Sequence, residues 1–390
     1  MSNDSFCQKW YILKIMKSKD LFLLLFFLLC STGHAQTVNS SYRAQAAEIA
    51  ASLDDNALAA QVLLTGVDGR ERLTPAMSAL LQRIPAGGVM FFRFNLNSPK
   101  DDVKRLLGET VAVIQGSSGI PPFTAVDHEG GLVHRFGPGV ERLPSAYSFW
   151  ELAQREGRPA ALALAETLYR RSALEIRELG INMVLAPVAE TLNEENRRFL
   201  GTRSFGPDPD FTLAAASVYV RSMSAAGITS VLKHFPGNTA LDPHYYISTL
   251  YASRHELDEM AKPFAEIIRE LRPPAVMISH VMIPALDSQR PASLSGIVIN
   301  DWLRGELGFD GIVMSDDYAM AAVAALGITP AAAAVEALNA GVDMIMLWPR
   351  DLSTVHAAIL NALRTGRLSR QRLVEAAERI ITEKIRYGIM

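Results

Sequence analysis

The chain has 390 residues, 49% of them apolar and 20% charged, with a formal net charge of −3 at neutral pH. That composition belongs to a globular protein of one large domain or two ordinary ones and excludes a disordered or fibrous chain. A mildly acidic balance, with no basic cluster in the body of the chain, argues against nucleic acid as a partner.

The N-terminus has its own pattern. Lys9, Lys14, Lys17 and Lys19 precede the apolar run from Leu21 to Cys30, and Gly33-His34-Ala35 follows as a small-x-small cleavage site. Residues 1–35 therefore have the layout of a secretory signal peptide, and the expected location is periplasmic or secreted. The run is too short to span a bilayer comfortably, which disfavours an uncleaved anchor, and Leu29 directly before Cys30 disfavours lipidation there. Both cysteines, Cys7 and Cys30, fall before the cut, so the expected mature chain is exported without disulfides and without a membrane span.

Residues 36–55 are small, polar and alanine-rich, a tether entering a first helix from Ser41 to Leu53. Short apolar runs then predict eight strands: Leu58 to Leu64, Gly88 to Phe92, Phe123 to Val126, Asn182 to Ala186, Thr229 to Lys233, Ala275 to Ser279, Gly311 to Met314 and Asp343 to Leu347. Between them, helical periodicity covers Lys100 to Ile114, Pro159 to Leu179, Asp210 to Ala226, His255 to Leu271, Ile299 to Leu307 and Pro330 to Ala340. A terminal helix pair follows from Leu352 to Arg386.

Strands that alternate with helices and lack a polar face imply a parallel sheet covered on both sides. Eight such units fit an α/β fold of the (β/α)8 barrel type, one domain over residues 56–390, better than an open doubly wound sheet. No glycine-rich dinucleotide or phosphate fingerprint supports the open sheet, and no Pro/Gly/Ser-rich linker or long repeat divides the chain.

In a barrel of this kind the chemistry sits on the loops that follow the strands. The third strand ends in Asp127-His128-Glu129-Gly130-Gly131 with Arg135 soon after, the fifth in Lys233-His234, the sixth in Ser279-His280 and the seventh in Ser315-Asp316-Asp317. A strand must be followed by a polar loop, and Asp often caps the next helix. Capping is a poor account of the whole set, because charges gathered at one mouth are costly unless a ligand uses them. His234, Asp242, His244 and His280 could in principle hold a metal, but there is no HExxH or paired-cysteine spacing and Lys233 would repel a cation, so neither metal nor cofactor is expected. Arg and Lys among carboxylates suit a neutral, hydroxyl-rich ligand.

These motifs resemble glycoside hydrolase family 3, in its single-domain β-N-acetylglucosaminidase (β-hexosaminidase) branch. The resemblance is carried by Asp127-His128-Glu129-Gly130-Gly131-Leu132-Val133-His134-Arg135-Phe136, Arg203-Ser204-Phe205-Gly206 and Lys233-His234-Phe235-Pro236-Gly237. Ser279-His280-Val281, Pro284-Ala285-Leu286-Asp287, Pro291-Ala292-Ser293-Leu294-Ser295 and the run from Gly308 to Asp317 continue it in the family's order. It implies a retaining exo-glycosidase acting on terminal β-linked N-acetylglucosamine, from peptidoglycan fragments, through a glycosyl-enzyme ester on Asp316. The same resemblance places the acid/base on Asp242-Pro243-His244, where a carboxylate fixes the tautomer of a histidine that titrates near neutrality. It assigns Asp127, Arg135, Arg203, Lys233 and His234 to the sugar.

Three positions depart from the family pattern. Only four residues, Asn238 to Leu241, separate Gly237 from Asp242, two fewer than is usual; Pro243 replaces a serine; and Glu190 stands where Asp is typical. The readings that remain open are a glucosidase-like or phosphorolytic enzyme of the same family, and a glycan-binding protein with a degenerate acid/base loop. The expected partner is a small carbohydrate, bound by a monomer.

Overall fold

The protein is described from a computed structural model, which covers residues 40–390; the predicted leader and its cleavage site lie outside the described residues. A helix over residues 40–52 leads in. Eight strands then follow: β1 (Leu63–Gly66), β2 (Gly88–Phe91), β3 (Phe123–Val126), β4 (Met183–Val184), β5 (Thr229–Phe235), β6 (Ala275–Ile278), β7 (Ile312–Ser315) and β8 (Ile345–Leu347). Each pairs in parallel with the next in chain order through β7, and β8 returns to pair with β1. The β7–β8 junction is a Met314–Met344 bridge, supported by the Ser315 N–H donating to the Met344 carbonyl at 3.0 Å. With helices packed outside, this is a single (β/α)8 barrel.

The strands are almost wholly buried because both faces are covered, one by the helices and one by the barrel interior. Beside the β7–β8 seam a buried charge cluster ties the ring together. Asp343 is fully buried; its Oδ1 accepts from Arg372 at 2.8 Å and Arg379 at 3.2 Å, and its Oδ2 from Arg304 at 2.5 Å and the Val313 N–H at 2.9 Å. Burial alone would raise this carboxyl, but the three guanidiniums hold it below the usual aspartate range.

The first predicted strand is corrected. Leu58 to Gln61 belong to a helix, Asp55–Gln61, whose N-cap Asp54 accepts from the Ala57 N–H at 2.7 Å, and β1 begins only at Leu63. A short buried apolar run has no polar face from which to read its period, and here the cap decides for helix. Helices Pro75–Arg83 and Ala146–Glu156, capped by Thr74 and Ser145, and a hairpin of Met282–Ile283 with Asp287–Pro291 were not among the predicted elements. The terminal pair resolves into Pro349–Arg364 and Arg370–Arg386. Among the described residues no helix is long and apolar enough to cross a membrane.

Candidate active site

At the C-terminal ends of the strands a cavity of about 440 Å³ opens between the βα loops. Its walls carry a continuous chain of ion pairs. Lys233 Nζ lies 2.9 Å from Asp127 Oδ1 and 2.6 Å from Glu129 Oε1. Arg203 grips Glu129 with both arms of its fork, at 2.8 and 2.9 Å, and Arg135 reaches Asp127 Oδ2 at 3.2 Å. The Lys233 side chain is 4% exposed, as is that of Glu129, so each charge depends on its partners for stability. Burial alone would push the Glu129 carboxyl up, yet Lys233 and Arg203 hold it well below the carboxylate range. Burial likewise opposes the Lys233 ammonium, and Asp127 and Glu129 outweigh it and raise its pKa.

Consecutive residues of a regular strand point to opposite faces, but Lys233 and His234 both line the cavity. The pairing of β5 with β6 shifts register between Leu232 and Phe235, and this irregularity lets both side chains face the mouth. Behind the cavity wall, Glu190 Oε1 lies 2.6 Å from His234 Nδ1 and also accepts from the His234 backbone N–H at 3.2 Å and from Asn238 Nδ2 at 3.0 Å. A carboxylate can only accept, so His234 Nδ1 carries its proton toward Glu190.

Asp316 is the first residue after β7 and lines the same cavity. Burial would raise its pKa, but the His234 and His280 imidazoles and the Asp317 N–H, 2.9 Å from Asp316 Oδ1, bring it below the usual value. Asp317, the next residue, lines the cavity too. Its Oδ2 accepts from Trp348 Nε1 at 2.5 Å and its Oδ1 from the Ala319 N–H at 2.9 Å, and burial pushes its pKa up. Two adjacent acids are thus driven apart, leaving Asp316 the better carboxylate. His280 supports the turn from behind: its Nε2 donates to the Asp317 carbonyl at 3.2 Å and its Nδ1 meets Ser293 Oγ at 2.7 Å.

Asp242 and His244 sit on the loop after β5. Asp242 Oδ1 is 2.7 Å from His244 Nδ1 and accepts the His244 backbone N–H at 2.9 Å, so Nδ1 is protonated and Nε2 is free to exchange a proton. His244 lines the catalytic cavity with its side chain 63% exposed, whereas Asp242 lines a neighbouring concavity. The Pro243 carbonyl accepts from the Ala322 N–H at 3.2 Å, which ties this loop to the segment after Asp316.

The structure therefore brings Asp127, Arg135, Arg203, Lys233, His234, His244 and Asp316 to one cavity, with Asp242 behind His244. Glu129, Glu190 and the stacked pair Phe92–Trp348, ring centroids 4.7 Å apart, were not singled out as site residues from the sequence. Glu129 had a usable signal, two positions after Asp127 in the same polar strand end; Phe92 and Trp348 are far apart in the chain and had none. Among the described residues no group of three or more His, Asp or Glu side chains is placed to hold a metal ion. A cavity of about 520 Å³ lined by Arg43, Arg304, Asp310, Glu375 and Arg379 lies toward the opposite end of the barrel. Barrel enzymes do not place their chemistry at that end.

The model of the glycosyl hydrolase family 3 N-terminal domain matches residues 57–383. A β-hexosaminidase of Stenotrophomonas maltophilia (strain R551-3) is 36% identical over 313 residues, 79% of this chain and 90% of the relative. Among solved structures, a glycoside hydrolase family 3 β-N-acetylglucosaminidase from Paenibacillus sp. str. FPU-7 superposes with a TM-score of 0.81 at 30% identity. The match covers 87% of this chain and 63% of that longer one. A β-N-acetylhexosaminidase from Beutenbergia cavernae DSM 12333 gives a TM-score of 0.75 at 25% identity, over 84% of this chain and 98% of that one. The chain belongs to glycoside hydrolase family 3, in the branch of the β-hexosaminidases.

Proposed function

We propose that the protein is an exported, retaining β-N-acetylhexosaminidase that removes terminal β-linked N-acetylglucosamine from peptidoglycan fragments. The observation that carries this reading is the position of Asp316, a half-buried carboxylate held charged at the end of β7, in the same cavity as the Asp127–Lys233–Glu129–Arg203 network and His244. The relatives' names supply the sugar class: those compared are β-hexosaminidases or β-N-acetylglucosaminidases.

In this reading Asp127, Arg135, Arg203, Lys233 and His234 hold the sugar hydroxyls and acetamido group, where charged donors and acceptors make the stronger hydrogen bonds. Asp316 attacks the anomeric carbon while His244, protonated on both nitrogens, gives its Nε2 proton to the departing oxygen. The glycosyl ester on Asp316 then meets a water that His244 deprotonates; the ester bond breaks, Asp316 is released as carboxylate and the sugar leaves with its configuration retained. Asp242 stabilises the imidazolium and keeps Nδ1 protonated throughout.

The test is Asp316→Asn assayed on an aryl β-N-acetylglucosaminide, together with mass spectrometry of the wild type stalled by a slow fluorosugar. The expected result is loss of turnover in the variant and a sugar adduct on the peptide containing Asp316. Wild-type activity in the variant, or binding of N-acetylglucosamine by the wild type with no turnover of any substrate, overturns the assignment. Added phosphate should leave the rate and the free-sugar product unchanged if water is the acceptor.

A further inference from the structure

Asp316 stands at the most thinly paired join of the barrel. On one side, β7 forms a ladder with β6 that runs from Ala275–Ile312 up to Ile278–Ser315, the last residue before Asp316. On the other side, among the described residues, β7 meets β8 at the single bridge Met314–Met344, whereas β8 forms a ladder with β1 from Leu63–Ile345 to Thr65–Leu347. The backbone that carries Asp316 therefore has a ladder behind one edge only. Where ladder bonds are missing, the position of a strand end is left to side chains.

Side chains cross this seam immediately before and after Asp316. Before it, Ser315 Oγ accepts from the Met346 N–H at 3.1 Å. After it, Asp317 Oδ2 accepts from the Trp348 indole N–H at 2.5 Å, and Oδ1 from the Ala319 N–H at 2.9 Å. Trp348 is itself a fixed post. Its ring stacks on Phe92, from the loop after β2, with planes 9° apart, and its carbonyl accepts from the Asp351 N–H at 3.0 Å where the helix Pro349–Arg364 begins. A carboxylate bonded at both oxygens to such anchors is held in one orientation. The backbone of Asp317 carries that orientation to its neighbour, because its N–H donates to Asp316 Oδ1 at 2.9 Å.

We infer that Asp317 is a positioning residue for the attacking carboxylate: its bond to Trp348 clamps the end of β7 to β8 and aims the peptide N–H that holds Asp316 Oδ1. The inference rests on the hydrolase reading above and adds to it a residue that acts through Asp316. A nucleophile displaced by about 1 Å loses about 10²-fold in rate. The loss falls on kcat, because the sugar is held by the network on β3 to β5 and not by the clamp.

The experiment uses variants of the full chain on an aryl β-N-acetylglucosaminide. Trp348→Phe keeps a ring to stack on Phe92 and removes the N–H; it should lower kcat about tenfold, the effect of one charge-assisted bond, with KM within about twofold. Asp317→Ala, which also loses the Ala319 contact, should lower kcat about 10²-fold. The double variant should be no slower than Asp317→Ala, because both changes break the same bond. Asp317→Asn removes the charge but keeps an oxygen for the indole N–H, and should lose less than Asp317→Ala. Trapping of Asp316 by the slow fluorosugar should slow in the same order. A crystal structure of Asp317→Ala should show the Asp316 carboxylate moved from its wild-type place. Losses that multiply in the double variant, a loss carried by KM, an Asp317→Asn loss equal to that of Asp317→Ala, or an unmoved Asp316 overturns the clamp. A wild type without turnover of any substrate overturns the hydrolase reading instead, while the crystal structure still decides the clamp.

Discussion

Glu190 Oε1 lies 2.6 Å from Nδ1 of His234, 44 positions away in the chain. The side chain binds the ring, the backbone N–H of His234 and Asn238 with one oxygen, so it sets both the orientation of the imidazole and the start of the acid/base loop. Glu190→Ala removes a charge-assisted contact of about 2 kcal/mol, which corresponds to roughly 30-fold in kcat/KM. We expect the loss to fall mainly on KM, with Glu190→Gln retaining much of the activity because its amide oxygen can still accept. Steady-state kinetics on an aryl β-N-acetylglucosaminide check this; an unchanged KM in Glu190→Ala would show that His234 is oriented by other contacts.

Glu129 is held by Lys233 and Arg203 together, and all three side chains are largely buried. Glu129→Gln keeps the shape and removes the charge, leaving two cations facing each other without the carboxylate that both of them bind. The expected cost is about 3–5 kcal/mol of stability, as for other buried pairs broken on one side. Thermal unfolding should show it, and N-acetylglucosamine should bind more weakly because Arg203 and Lys233 lose their fixed positions. A variant as stable as the wild type would mean that the network is balanced elsewhere.

His244 is expected to matter in proportion to how badly the leaving group needs a proton. His244→Ala should cut kcat/KM on a disaccharide by about 10²–10⁴-fold and on a nitrophenyl glycoside much less. Asp242→Asn should fall between the variant and the wild type, since the amide can donate to Nδ1 and stabilise the wrong tautomer. Equal losses on both substrate types would argue that His244 binds substrate without transferring a proton.

Asp343 gives a pH-dependent prediction about the fold. Its carboxyl is depressed below the ordinary value of 3.8 by Arg304, Arg372 and Arg379 against the opposing effect of burial. A depressed carboxyl contributes stability that is fully present above 3.8 and is lost as pH falls through the folded-state value. Asp343→Asn should therefore unfold at lower temperature than the wild type at neutral pH, by about 3–5 kcal/mol of stability, with the gap closing in acid. A gap that stays constant with pH would mean that the charge of Asp343 is not what holds the β7–β8 seam.

Much of the barrel was legible because its signals are local. Apolar runs separated by helical periods mark β2, β3 and β5 to β8 to within a few residues, and Pro330–Ala340 begins at a proline and ends before a glycine, as a helix should. The error at Leu58 is equally local in origin, since a run buried on all sides carries no period to read. The site was legible in part. Asp316, Lys233 and Asp127 stand at strand ends, and a (β/α)8 fold converts that one-dimensional position into a shared mouth.

By itself, the sequence determined the alternation of strand and helix, the number of such units, and which strand ends carry acid, base and cation, because each of these depends on neighbours a few residues apart. Only the tertiary structure decided which of those groups meet. Lys233 reaches Asp127 across 106 positions, Arg203 reaches Glu129 across 74, and Trp348 reaches Asp317 across 31. Such pairings follow from the register of the ring and from the shift in β5 that turns Lys233 and His234 to the same side, neither of which any local pattern encodes. The physical reason is that burial sets the energy of a charge through everything around it, so its partners are chosen by the fold and not by its neighbours in the chain.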